Sequence, residues 1–168
     1  MLEVTSRNNP TRERPARLDF AVVMPKGERA DWLVEKLTEL GVSRLIPLRT
    51  ERSVVHPGSG KVDRWRRVVI AASKQCGRNR LMEIAPPIDW PRLLREPNLP
   101  NRRVIVDPSG SAATWEANDR IVAVGPEGGW TATELAAARD AGWGCVSLGP
   151  RILRIETAAL VCASQVQD

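Results

Sequence analysis

Apolar residues recur along this chain in short blocks parted by polar, glycine- or proline-bearing stretches, and the spacing within each block sets an expected element. Leu18–Met24, alternating around Phe20 and Val22, reads as a buried strand. Glu28–Leu40 places Leu33, Leu37 and Leu40 on one face of a helix, with Gly41 as its stop. Arg44–Leu48 is a short strand whose Pro47 points to an edge or a strand end, and the loop Arg49–Gly60 follows. Val62–Cys76 is a second long helix, with Val62, Trp65, Val69, Ala72 and Cys76 along one side. Met82–Ala85 is a further candidate strand, and Asp89 caps a short helix carrying Leu93 and Leu94. Arg103–Val106 is a strand that ends in the turn Asp107-Pro108-Ser109-Gly110.

The last third repeats strand, glycine loop and helix. The apolar run Ile121–Val124 leads into Gly125-Pro126-Glu127-Gly128-Gly129. Thr131-Ala132-Thr133-Glu134 reads as a capping box, Leu135–Ala141 are strong helix formers, and Gly142 ends the helix. Cys145–Leu148 is a strand followed by Leu148-Gly149-Pro150-Arg151, and the turn Ile152–Thr157 leads into an apolar tail. The alternation predicts an α/β domain with a largely parallel sheet. Loops that follow strand ends in such a sheet are where ligands bind, and their glycines let a backbone approach a flat ligand closely. No Gly-x-Gly-x-x-Gly follows a strand, and Gly60-Lys61 lacks the rest of a phosphate-binding P-loop.

Composition narrows this. At 168 residues the chain makes one domain with a real core; Met1–Arg17, with Pro10, Pro15 and few apolar residues, reads as a linker or disordered arm before a domain at 18–168. A net charge of +5, mostly from arginine, favours a polyanionic partner, nucleic acid above all. The helix 62–76 and its exit carry Arg64, Arg67, Lys74 and Arg78, which serve either as a solvated face or as contacts to an RNA backbone. Cys76, Cys145 and Cys162 are isolated, which argues against a zinc site and suits a reducing compartment; with no signal segment or membrane-length apolar run, a cytoplasmic place is expected. One histidine, His56, sits in a Pro/Gly loop and is expected at the solvent surface. That single His, and the absence of Gly-x-Ser-x-Gly at any serine, argue against a serine hydrolase.

The run GPEGGW, the following Glu-Leu, and VSLGPRILRIETAA closely resemble the C-terminal signature of the RsmE family, the 16S ribosomal RNA uracil-N3 methyltransferases of the SPOUT class. Pro25-Lys26-Gly27, Glu35–Val42, Pro47–Ser53, Arg64-Trp65 and Gln75–Arg78 match as well, so the resemblance runs from about Leu18 to the end. Family members carry a small PUA-like β-barrel before this stretch, so the resemblance implies the catalytic domain without that barrel. It implies a SPOUT-type, mostly parallel sheet flanked by helices, a C-terminal deep trefoil knot, a homodimer, and small-subunit ribosomal RNA as partner. It also implies S-adenosylmethionine as cofactor, held by Gly125, Pro126, Glu127, Gly128, Leu148, Gly149, Arg151, Ile152 and Leu153.

The chemistry is consistent with those residues. Uracil N3 bears a proton, and as it leaves, negative charge spreads over the flanking carbonyl oxygens; an always-charged, forked arginine suits that anion. Arg52, Arg151 and Arg154 match family motif positions. Glu156 or Glu127 could take the proton, and Glu156 reads equally well as a helix-start carboxylate. Two other readings stand beside this one: a SPOUT ribose 2′-O-methyltransferase, and a catalytically silent RNA-binding or ribosome assembly factor.

Overall fold

The computed structural model describes residues 12–54, 58–112, 114–115 and 118–165. His56 lies outside them. The strands are β1 (Leu18–Val22), β2 (Arg44–Arg49), β3 (Glu83–Ile84), β4 (Ile88–Asp89), β5 (Arg102–Ala112), β6 (Arg120–Val124) and β7 (Gly144–Ser147). The helices are α1 (Glu28–Glu39), α2 (Ser59–Cys76), α3 (Trp90–Leu93), α4 (Ala132–Asp140) and α5 (Ile155–Gln165). The strands form one sheet in the order β3-β2-β1-β6-β5-β7, with β4 also on β2, and every pairing is parallel.

β1 and β6 form the centre, and every residue of both is buried. That is the pattern of a parallel strand covered on both faces, so continuous apolarity, not alternation, marks them. α1 packs between α2 and α5, while α5 also touches β1 and β6 and α4 lies on β7. On the α4 side, Trp90 packs against Trp130 at 4.7 Å and Trp143 at 5.1 Å between ring centroids. Within the core the Cys162 thiol is pushed up to about 12 by burial, so it is a packing group and not a nucleophile. No helix among the described residues is long and apolar enough to cross a membrane.

Several expectations need correction. Pro47 lies inside the sheet: β2 pairs with β1 along Arg44–Pro47, and Pro47 falls where β3 has ended opposite Leu45 and β4 begins opposite Leu48. Its missing N–H therefore faces a gap in the ladder. Asp89 stands at the N-cap of α3 but makes no capping bond; its carboxylate takes Arg49 Nε (2.7 Å) and Nη2 (3.2 Å) instead. β5 continues past Val106 to Ala112, with a register shift between Val106 and Ser111 that leaves the Asp107–Gly110 turn as a bulge. α2 begins at Ser59, shortening the loop before it, and the tail helix begins at Ile155, inside the expected turn.

Residues 12–17, expected as part of a linker, lie along the body. Arg12 donates to the Cys76 carbonyl (3.3 Å), and Arg14 to those of Leu40 (3.0 Å) and Ala163 (3.3 Å). These carbonyls belong to the C-terminal ends of α2, α1 and α5, where cations are favoured. Glu13 meets Arg78, which is only 5% exposed. Arg78 is accordingly removed from the RNA face: its guanidinium is committed to Glu13 and to the carbonyls of Thr38 and Val42.

Candidate active site

The bulge of β5 and the loops that leave β6 and β7 enclose one cleft with the start of α5. Its lining includes Val106, Asp107 and Pro108 at the β5 bulge, Val124, Gly125, Pro126, Glu127, Gly129 and Trp130 around the β6 exit, and Leu148, Gly149, Arg151, Ile152 and Leu153 after β7. Ile155 and Ala158 of α5 complete it. Of the residues expected at a cofactor site, all but Gly128 line this cleft.

The local chemistry explains the shape. A Cβ on Gly125 would lie 2.7 Å from Trp130 Cε2, so glycine is what lets the ring fold back under the loop. Trp130 Nε1 then donates to the Val106 carbonyl (3.0 Å), tying the β6 loop to the end of β5. The Gly129 amide closes the turn onto the Pro126 carbonyl (2.8 Å), and Gly149 takes φ 104, a left-handed conformation. Leu148 and Leu153 pack partly into the core below, while Ile152 is 90% exposed at the rim.

Gly128 is turned away from the cleft. Its carbonyl accepts from Arg52 Nη1 at 2.7 Å, and a Cβ there would meet the Arg52 side chain at an ordinary 3.5 Å. Arg52 itself sits in a tight turn after β2, where the Ser53 amide donates to the Thr50 carbonyl (3.1 Å) and the Thr50 amide to Ser53 Oγ (2.8 Å). The Glu51 amide donates to Glu134 Oε1 (2.9 Å). The capping box forms as expected, with Thr131 and Glu134 exchanging bonds.

The two carboxylate candidates lie on either side of one arginine. Arg29 Nη1 on α1 stands 3.4 Å from Glu127 Oε1 and 3.5 Å from Glu156 Oε1. Glu127 is exposed and lines the cleft. The Glu156 side chain, in the first turn of α5, is 8% exposed and outside the lining, and its Oε2 has no hydrogen-bond partner among the described residues. Arg151 is exposed and lines the cleft; Arg154 is exposed and does not. On α2, Arg64, Arg67 and Lys74 are all exposed, and Arg64 pairs with Asp31 of α1. Among the described residues no cluster of His, Cys, Asp and Glu could hold a metal ion.

Sequence reasoning missed Trp130, Val106–Pro108, Ile155 and Ala158 as lining residues, and it missed Arg29 altogether. The first two had signals: Trp130 directly follows the glycine loop, and the Asp107–Gly110 turn follows an apolar strand as the glycine loops do. Arg29 had none, because its partners are 98 and 127 residues distant.

A parallel α/β sheet whose ligand cleft lies at the carboxyl strand ends, walled by glycine-opened backbone and an apolar slot, defines a domain that binds a flat, nucleotide-like molecule. The chain belongs to the RNA methyltransferase domain family, which it matches over residues 12–167. It is 33% identical to ribosomal RNA small subunit methyltransferase E of Synechocystis sp., covering 99% of this chain and 57% of that protein. With the protein of the same name from Bacillus subtilis it shares 29% identity, covering 94% of this chain and 68% of the other. Among solved structures it is similar to a putative methyltransferase from Legionella pneumophila in complex with SAM, at 34% identity and a TM-score of 0.87, covering 94% of this chain and 68% of that one. The chain spans between 57% and 68% of the length of these relatives.

Proposed function

We propose that this chain is an S-adenosylmethionine-dependent methyltransferase acting on N3 of a uridine in small-subunit ribosomal RNA. The observation that carries the reading is the convergence of the β5 bulge and two separate loops on one cleft, lined by the residues the sequence marks for the cofactor. The cleft fits an adenosine-bearing molecule. Gly125 and Gly149 bring bare backbone to its wall, and Leu148, Leu153 and Val106 form an apolar slot. The relatives named as small-subunit RNA methyltransferases, and the Legionella structure holding SAM, support the same reading.

When bound, S-adenosylmethionine supplies a methyl group activated by its sulfonium. The chain's own residues position the acceptor, which carries much of such a rate. Arg52, anchored at the Gly128 carbonyl by one N–H, keeps its remaining donors for the uracil oxygens that gain charge as N3 loses its proton. Glu127, exposed at the cleft, takes that proton and passes it to water. Glu156 acts through Arg29, which it holds beside Glu127. Arg151 at the rim and Arg154 beside it, with Arg67 and Lys74 of α2, meet the RNA backbone.

The cofactor reading is tested at Gly125. A Gly125→Val variant should drive Trp130 out from under the loop and weaken S-adenosylhomocysteine binding by at least about ten-fold in calorimetry, with the fold retained. Gly128→Val, facing Arg52 and not the cleft, should leave that affinity nearly unchanged. Equal binding by the Gly125 variant removes the cleft from the reading.

We further infer the trefoil knot. Its support is the path of α5, which leaves the edge strand β7, returns to β1 and β6 at the sheet centre, and lines the cleft beneath the Gly125 loop. A cytoplasmic homodimer completes the proposal. α5 buries Ala158, Ala159, Cys162 and Ala163 within its own chain, so the apolar tail does not by itself call for a partner. The dimer rests on the family resemblance, and Ile152, 90% exposed at the rim, is the apolar side chain a partner would cover. Light scattering at micromolar concentration should give twice the 18.6 kDa chain mass, and the single-chain mass would refute the dimer.

A further inference from the structure

The capping box on α4 does more than a cap requires. Glu134 Oε2 accepts from the Thr131 amide (2.9 Å), and the Glu134 amide donates to Thr131 Oγ1 (3.2 Å), which completes the reciprocal cap. Oε1 is left over, and it accepts from the amide of Glu51, 83 residues away, at 2.9 Å. Glu134 is 8% exposed; Thr131 Oγ1 also reaches Oε2 (3.3 Å), so three donors hold the carboxylate, while Trp90 Nε1 holds the residue's backbone carbonyl (3.2 Å). Glu51 is the residue before Arg52, and Arg52 in turn donates to Gly128 (2.7 Å) in the loop that Thr131 closes.

We propose that Glu134 is a positioning residue which bolts the Arg52 turn to the glycine loop of the cleft, so that Arg52 is aimed only while its backbone is held there. Arginine is long and rotamer-rich, and one bond to a carbonyl at the surface fixes it poorly. What fixes it is the anchor of its backbone, a hydrogen bond from an amide to an ionised carboxylate, stronger than one between neutral groups. The proposal rests on the reading of Arg52 as the group that holds the uracil anion.

Two variants break the bolt by different routes. Glu134→Ala removes both oxygens, so the link to the Glu51 amide is lost together with the Glu134 side of the cap. Glu51→Pro deletes that N–H, along with the exposed Glu51 side chain, which Glu51→Ala removes alone as the control. Glu51 is the second residue of the Thr50–Ser53 turn, a position that favours proline, so the cap and fold stay intact. The experiment measures single-turnover methyl transfer from S-adenosylmethionine to small-subunit RNA, with S-adenosylhomocysteine affinity beside it. Glu134→Ala and Glu51→Pro should each lose about ten-fold in rate, the size of one charge-assisted hydrogen bond, with affinity within about two-fold of the parent. In an Arg52→Ala background neither change should lower the rate further. Thr131→Ala, which removes the cap alone, should lower the melting temperature and leave the rate in place. A parental rate in Glu51→Pro, or losses that multiply in the double variants, would overturn the proposal. A parental rate in Arg52→Ala would instead overturn the reading beneath it.

Discussion

Replacing Arg52 with alanine is expected to lower methyl transfer by about 10²–10³-fold while cofactor affinity stays within about two-fold, the effect of losing one donor to a developing oxyanion. The geometry separates the two quantities. Arg52 does not line the cleft, and its Nη1 bonds the carbonyl of Gly128, the residue of the loop that is turned away from it. The carboxylates nearest to hand for a purely structural salt bridge are otherwise engaged or unpaired with it: Glu51 offers its amide to Glu134, and Asp107 takes the amide and hydroxyl of Ser109. Lysine at this position should recover only part of the rate, because an ammonium cannot fork across two groups. An unchanged rate for Arg52→Ala would assign the residue to the loop contact alone.

Arg78→Ala is expected to cost about 3–5 kcal/mol of stability, because it strands a carboxylate inside the protein. Arg78 Nε and Nη2 reach Glu13 Oε2 at 3.0 and 2.8 Å, and Nη1 serves the carbonyls of Thr38 and Val42, both at 2.9 Å. The variant should melt on the order of 10 °C lower by calorimetry. Acid reads the same contact. Burial works to raise the Glu13 carboxyl, but bonds from Arg78 and from the amides of Asn79 and Arg80 outweigh it and hold it below its ordinary 4.5. A carboxyl held low stabilises the fold above its unfolded value, and that contribution is lost as pH falls through the folded one. Stability should therefore decline on acidification below about pH 4.5, and Glu13→Gln should flatten that decline. A mild loss on removing Arg78 would return it to the solvated face of α2.

What the sequence made legible was local. Gly41 and Gly142 take left-handed conformations where α1 and α4 end, and Thr131 and Glu134 form the cap their spacing promised. The cleft was legible for the same reason: its walls are the β5 bulge and the exits of β6 and β7, each marked by glycine or proline at its own place in the chain. What stayed hidden depends on pairings across the fold. Nothing near Arg78 announces Glu13, nothing near Arg29 announces Glu127 and Glu156, and a capping box does not disclose that its second oxygen is spoken for. Gly125 and Gly128 look alike in sequence, yet one makes room for Trp130 and the other faces Arg52. Pro47 was misplaced because proline's cost in a sheet depends on which neighbour is missing, and here the gap between β3 and β4 receives it.

The central claim is methyl transfer to uracil N3, and mapping the product tests it most directly. The chain is incubated with methyl-labelled S-adenosylmethionine and unmodified small-subunit RNA, the RNA is digested, and the labelled nucleoside is fragmented in a mass spectrometer. The account predicts the label on the base of a uridine, at N3, with a matching stop when reverse transcriptase meets the blocked pairing edge. Label on a ribose 2′-oxygen, or no transfer by a folded chain that binds the cofactor, would contradict it.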